Sequence, residues 1–480
     1  MPSSTTTVDS NRQRLSDYPQ WLQVWQRARE GEYETVILSA SDDMLSVVLM
    51  HRQTGAVYSL DWSRSFQQKP LGPPPSALGI LETLSAEHEL ARQWPRWGWR
   101  SGRRPPVRGK GLFIYPLGPV RADVAESLLY QLTVMGDDIV HVQLENGFKR
   151  RHIRELAVSR TVSSAYSLVS VFTTTSNVHH SLAMAQAVED AWEVDIGPGA
   201  AVTRTLVAEL ERAASHLGDL AAIAVSTGLT VAQMEFLHLK ETILRINDQL
   251  FGHRYSRHTV IPGGINTELW PRQADLVQIR QIVTNVLTEV ATIARDLENT
   301  TSFLDRLHGA GTVPAQAVAA IRPVGPVGRA AGLAMDVRQV HPYADYPHHN
   351  LHIPVLSSGD SYARFRIRVA ELTVSLKLIH EILRNWDRDA IRVQSDKLTR
   401  FDESRPRRRT GIGLVEAPRG LLAYQIHFSP DTGRIAQLHV ATPSQRNWAV
   451  YPVTMANGNI LQDFPIVDAS FSLSVAGWDG

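Results

Sequence analysis

With 480 residues, 43% of them hydrophobic, the chain can bury more core than one ordinary domain holds, so two domains are expected. Lys plus Arg (49) nearly cancels Asp plus Glu (48), which excludes the global basic field of a nucleic-acid-binding protein. The complete absence of cysteine excludes disulfides, thiolate nucleophiles, iron-sulfur ligation and Cys-type zinc sites together.

Residues 1–14 are polar and read as a disordered tail without the apolar segment of a secretory signal. A short helical stretch from Trp21 precedes two apolar runs, 35–40 and 44–50, separated by the turn Ser41, Asp42 and Asp43. Residues 56–62 follow as a third strand. The segment 101–111 carries four basic residues, three glycines and two prolines, and is taken as the domain boundary. Beyond it, 139–148 alternates as a strand, and most of the remainder is helical.

Leu206, Leu210, Ala213, Leu217 and Leu220 fall on one helical face. A second helix is predicted to open on a capping box of Thr230 and Gln233 and to stop near Gly252, with Leu237, Leu244 and Phe251 along one stripe. A third is predicted over Ala274–Glu298 and a fourth over Tyr362–Trp386, and four such helices imply a bundle. A hairpin, 421–428 and 435–440, flanks the turn SPDTG. No run of about 18 uncharged apolar residues occurs, so a spanning helix is not expected.

Three motifs carry less than they suggest. The histidines of YPHHNLHIP (346–354) have no carboxylate at a fixed ligand spacing, which argues against a metal site. RPRRRTG (405–411) and RRPPVRGKG (103–111) read as solvated loops or docking surfaces in a neutral chain. GPVGRAAG (325–332) follows no strand and lacks the Lys-Ser/Thr of a phosphate loop.

Several segments, in order, resemble the large subunits of nickel-iron hydrogenases and their relatives in formate hydrogenlyase and the 49 kDa subunit of respiratory complex I. They are LGPVRADVAES (117–127), VHVQLENGFKRRHIREL (140–156), HHSLAMAQAVE (179–189), ELERAASHLGDLAAIA (209–224), GHRYSRHTVIPGG (252–264), VGPVGRAAGLAMDVRQVHPY (324–343), GDSYARFRIRVAEL (359–372), EAPRG (416–420) and DFPIVDASFSLSVAGWDG (463–480). The first hundred residues look, more weakly, like the 30 kDa complex I subunit. The resemblance implies an α+β fold: a small N-terminal α/β domain (15–107), then a large, mainly helical-bundle domain with peripheral β-hairpins (108–480), hydrogenase large subunit-like.

In that family two cysteine pairs hold the metal. Here the first pair falls on Thr173 and Ser176 and the second on Ser474 and Gly477, with Ser472 and Leu473 replacing the preceding aspartate and proline. Hydroxyls cannot replace thiolates around a soft, low-valent metal, so no metal is expected. EAPRG resembles the motif whose arginine leans over the metal, so Arg419 is expected to point into the vacated cavity and to need an acid, Glu416 or Asp463, or an anionic or quinone-like guest. Arg121 stands where complex I relatives have a quinone-site histidine, and 171–177 lacks their tyrosine, which leaves His179 or His180 as polar contacts. The cavity candidates are thus Arg121, Thr173, Ser176, His179, His180, Arg419, Ser472 and Ser474.

The resemblance further implies a peripheral subunit on the cytoplasmic face of the inner membrane. It implies as partners a small iron-sulfur subunit, which holds the clusters, a ferredoxin-like subunit and antiporter-like membrane subunits, with a quinone as the candidate guest and no cofactor held by this chain. The competing reading is a non-catalytic scaffold of such a complex.

Overall fold

The computed structural model describes residues 12–14, 32–40, 44–63, 109–121, 126–148, 150–268, 270–271, 273–388 and 398–479. The helical stretch expected from Trp21, the turn at 41–43 and most of the 101–111 boundary lie outside them. Near the N-terminus β1 (Arg12–Arg14), β2 (Tyr33–Ala40), β3 (Met44–His51) and β4 (Val57–Ser63) form one sheet in the order β1-β4-β3-β2. The antiparallel β2–β3–β4 meander matches the predicted strands. The end of the expected tail is itself a strand: Arg12–Arg14 pairs parallel with Val57–Ser59. This sheet docks on the larger part of the chain through Glu34, which accepts from Arg322 at 3.2 Å and also pairs with Arg446.

A second antiparallel sheet contains β5 (Leu112–Leu117), β6 (Leu129–Met135) and β7 (Asp138–Glu145). Its inner residues Tyr130, Leu132, Val142 and Leu144 are buried in a cluster with Trp448, Tyr451 and Phe471, while Phe113, Tyr115 and Met135 remain exposed.

Around the principal core run five long helices: α1 (Asn177–Trp192), α2 (Pro198–Ser226), α3 (Thr230–Phe251), α4 (Leu276–Glu298) and α5 (Ser361–Asn385). The predicted stripe of α2 is fully buried, but so is nearly every residue from Thr203 to Leu217. A helix covered on all sides is the centre of a bundle. The tight α2–α3 turn displaces the expected capping box: Leu229 is the N-cap, its carbonyl accepts from Gln233, and Thr230 is already helical. Leu237 is 37% exposed, whereas Phe236, Leu244 and Phe251 are buried. α4 and α5 begin on Asp275 and Asp360, whose side chains cap them.

A third sheet, β8 (Thr410–Ala417), β9 (Gly420–Phe428) and β10 (Ile435–Ala441), contains the predicted hairpin and adds a strand. β8 lies directly on α1: a Cβ at Gly411 would stand 1.8 Å from the Ala187 carbonyl oxygen, and one at Gly413 1.9 Å from that of Ala183. Only glycine permits this approach. Two C-terminal helices, α6 (Pro443–Met455) and α7 (Phe464–Phe471), complete the core and deliver the chain end to it. No described helix is long and apolar enough to cross a membrane.

Candidate functional site

The loop before α1 carries Thr173 and Ser176. Both are buried, and the Thr173 hydroxyl has no hydrogen-bond partner among the described residues. Ser176 is the N-cap of α1, yet its side chain does not cap the helix. That role passes to Glu211 of α2, whose carboxylate accepts from the Val178 amide at 2.9 Å, the His179 amide at 3.0 Å and Asn177 Nδ2 at 3.0 Å. A carboxylate at this position satisfies free amides and lies at the positive end of the helix dipole.

The two histidines that follow diverge. His179 Nδ1 is 2.5 Å from Glu211 Oε2, and burial depresses the imidazole pKa more than Glu211 raises it, so the ring is neutral and donates. His180 stacks on Phe172, with centroids 4.4 Å apart, and meets the Tyr424 hydroxyl at 2.6 Å. Burial, with His179 adding to it, pushes its pKa down to about 3.

Arg419 sits in the β8–β9 turn, held by close backbone contact: a Cβ at Gly325 would stand 2.1 Å from the Arg419 carbonyl oxygen. Its guanidinium donates to the Ser472 carbonyl and to Thr175 Oγ1 (2.8 Å), and stands 3.5 Å from Asp219. The acid beside Arg419 is therefore Asp219, on α2. Glu416 instead pairs with Arg329 at 2.8 Å, and Asp463 accepts from the Ile460 amide at 3.0 Å. Ser472, in the left-handed conformation that ends α7, also donates its hydroxyl to Asp219, and Arg368 approaches the other carboxylate oxygen at 3.3 Å. Burial alone would raise the Asp219 pKa, but Arg419, Arg368 and the Ser472 hydroxyl together hold it below the usual value.

Asp219 and Glu211 both line a cavity of about 230 Å³ between α2 and α3. α2 contributes Glu211, Ala214, Ser215, Gly218 and Asp219, and α3 contributes Lys240, Leu244 and Asn247. These are facing stripes at three- and four-residue spacing. The space exists because Ala214, Ser215 and Gly218 stand where larger residues would fill the groove. Thr174 and Thr175, both exposed, form its mouth.

Of the candidates, Arg419 and Ser472 meet at Asp219, behind this wall, and do not line the cavity themselves. Thr173 and Ser176 belong to the same loop, whose neighbours Thr174, Thr175 and Asn177 provide the lining. The others lie elsewhere. Arg121 stands 3.8 Å from Asp468, which also accepts from Tyr130 and Tyr451. The Ser474 hydroxyl contacts Glu126 at 3.2 Å and accepts from the Gly477 amide at 3.0 Å. Thr173, Ser176 and Ser474 supply hydroxyls, and Gly477 supplies no side chain at all, so the residues present do not fit a nickel-iron centre.

A buried ionic network continues along α2. His216, one turn before Asp219, meets Glu371 at 3.1 Å, and Glu371 accepts from Arg329 at 2.6 Å. Arg329 also reaches Asp336 and Glu416; Arg338 joins Asp336 to Glu209, and Glu209 pairs with Arg212 at 3.1 Å. Burial first and the Asp336 charge second push the Glu416 pKa up to about 7. Sequence reading did not single out this network, although 209, 212, 216 and 219 recur at helical spacing inside an apolar run. Elsewhere, His348 and His349 pair with Asp345 at 2.7 and 2.9 Å. Arg407 and Arg408 pair with Glu193, at 3.3 and 2.9 Å, which makes part of that basic cluster a clasp on the end of α1.

The family model described as the 49 kDa subunit of respiratory-chain NADH dehydrogenase matches residues 227–479. An NADH-quinone oxidoreductase subunit of Chloroherpeton thalassium is 27% identical over 377 residues, covering 74% of this chain and 85% of that protein. The carbon monoxide-induced hydrogenase of Rhodospirillum rubrum is 25% identical, covering 74% and 96%. Formate hydrogenlyase subunit 5 of Escherichia coli is 26% identical, covering 74% of this chain and 61% of the longer relative. A chain in the structure of the membrane-bound sulfane sulfur reductase, an archaeal respiratory membrane complex, shares the fold with a TM-score of 0.70 at 24% identity, over 77% of this chain and 99% of that one.

Proposed function

The chain belongs to the 49 kDa-subunit family of respiratory-chain NADH dehydrogenase, and from that premise we propose that it is the large peripheral subunit of a complex I-like or hydrogenase-like membrane complex. In this reading it lies on the cytoplasmic face and forms, with a small iron-sulfur subunit, the chamber in which electrons reach a quinone or similar small acceptor. Ferredoxin-like and antiporter-like subunits complete the assembly, and turnover is coupled to ion translocation. This chain supplies the walls. The clusters that deliver electrons belong to its partner.

One observation carries the reading. Thr175 and Asp219 line an open cavity beside the loop that precedes α1, and Arg419 and Ser472, from two further segments, hold them from behind that wall. At about 230 Å³ the cavity falls just below the roughly 300–1,000 Å³ of typical small-molecule pockets, a size suited to a headgroup. Filling it tests the reading: Ala214→Leu from within and Thr174→Trp at the mouth are expected to lower turnover of the intact complex at least tenfold while assembly is retained. Unchanged turnover in both variants refutes the chamber.

The scaffold reading has its own support. Every nitrogen of the Arg419 guanidinium already faces a protein partner. As a scaffold the subunit would lose assembly, rather than turnover, on Arg419→Ala.

A further inference from the structure

The cavity wall contains one charge that the network around Asp219 does not use. Lys240 of α3 reaches across the groove to α2, where its ammonium lies over Gly218: a Cβ there would stand 3.0 Å from Nζ. Lys240 is partly buried and has no hydrogen bond or ion pair among the described residues. The two carboxylates that share the wall are committed elsewhere, Glu211 to the start of α1 and Asp219 to Arg419, Arg368 and Ser472.

Three buried polar atoms on lining residues also have no partner among the described residues: Asn177 Oδ1, Asn247 Oδ1 and Ser215 Oγ. The amide orientations are set by what the nitrogens do. Asn177 Nδ2 donates to Glu211 and to the Tyr255 carbonyl at 3.1 Å, and Asn247 Nδ2 donates to the Arg254 carbonyl at 3.0 Å. The unused atoms are therefore carbonyl oxygens. Buried polar groups are rarely left unpaired, and Lys240, only partly buried, keeps its ammonium free for a partner that enters the groove.

We propose that Lys240 is the ligand-directing residue of this cavity, its ammonium hydrogen-bonding a carbonyl or hydroxyl oxygen of a quinone-type headgroup. The inference rests on the chamber reading and adds the guest's point of attachment. An ammonium suits an oxygen that gains negative charge on reduction. Gly218 is the residue that leaves the ammonium room to reach the groove.

The test uses the intact complex and a tailless methoxylated benzoquinone, with its hydroquinone and inorganic phosphate as parallel probes, in equilibrium binding measurements. Lys240→Met keeps the length and removes the charge, and is expected to weaken quinone and hydroquinone binding about tenfold or more, the size of a lost charge-assisted hydrogen bond. Lys240→Arg should stay within about threefold. Gly218→Ala should act like Lys240→Met through displacement of the ammonium. Equal quinone affinity in wild type and Lys240→Met overturns the role of Lys240 and leaves the chamber standing. Lys240-dependent binding of phosphate alone overturns the quinone class. Failure of the wild-type complex to bind any probe overturns the inference, and turnover of the Ala214→Leu variant then decides separately whether the chamber falls with it.

Discussion

Asp219→Asn is the most direct perturbation of the site because it removes a charge and leaves the shape. The carboxylate faces Arg368 at 3.3 Å and Arg419 at 3.5 Å, and all three side chains are at most 11% exposed. Both guanidiniums keep carbonyl partners after the change, Arg368 at Arg364 and Phe471 and Arg419 at Ser472, so hydrogen bonding largely survives. Two buried cations nonetheless lose their counter-charge. Removal of one member of a buried pair typically costs about 3–5 kcal/mol, and retained geometry places this variant near the lower end, at about 3 kcal/mol. The pH dependence provides the sign. Asp219 has a folded pKa below its ordinary 3.8, so its contribution is fully present above that value and is lost as pH falls through the lower folded one. Urea unfolding should therefore show the full deficit at pH 7 and a shrinking one below pH 4. A double-mutant cycle with Arg419→Gln should be strongly non-additive. A deficit under about 0.5 kcal/mol at pH 7, or one that persists unchanged in acid, would refute the pairing.

Glu416 should behave oppositely, because its folded pKa is raised from 4.5 to about 7: its contribution is present below 4.5 and lost as pH rises through 7. Relative to wild type, Glu416→Gln should therefore gain up to roughly 3 kcal/mol between pH 5 and pH 8 in denaturation experiments. Gly413→Ala drives a Cβ into the Ala183 carbonyl and should destabilise by at least about 2 kcal/mol, visible as a lowered urea midpoint. Arg419→Lys cannot serve Ser472, Thr175 and Asp219 with one ammonium, and should recover less than half of the turnover that Arg419→Ala loses, measured on the assembled complex. Limited proteolysis should cut within residues 101–111 or in the N-terminal tail, and preferential cleavage within 201–300 would contradict the bundle as the stable unit.

Helical periodicity in the sequence located α3, α4 and α5 within one or two residues and the middle of α2, because each turns an apolar stripe toward the core. It did not reveal that α2 is buried on every side, since charged residues such as Arg204, Glu209 and Arg212 look like a solvated face until their partners are known. β8 escaped the pattern because Gly411 and Gly413, which read as loop residues, serve close contact with α1. At the site, aligned positions located the loop of Thr173 and Ser176, Arg419 and the tail, but not what they touch. Arg419 and Ser472 meet at Asp219, a residue that sequence reading treated only as part of a helix. Arg121, His180 and Ser474 are held by Asp468, Tyr424 and Glu126 instead. Lys240 carried no signal, because an isolated lysine on a polar helix face is ordinary.

Stability alone does not account for so many buried charges on α2. Replacement of a buried ion pair by packed apolar residues is often neutral or stabilising, so Glu209, Arg212 and Asp219, with the hydrogen-bonded His216 among them, need another reason. Geometry suggests one. Glu209 is tied through Arg338 to the segment after 336, His216 to α5 through Glu371, Asp219 to the β8–β9 turn through Arg419, and Glu211 to the start of α1. Each bond fixes the rotation of α2 against a different neighbour, and a slip by one residue would strand all four buried polar groups at once. Apolar packing tolerates such slips far better. The α2–α3 groove can then remain open at Ala214, Ser215 and Gly218 without collapsing, because the helix that forms its floor is positioned by charges on its flanks rather than by contacts across the groove.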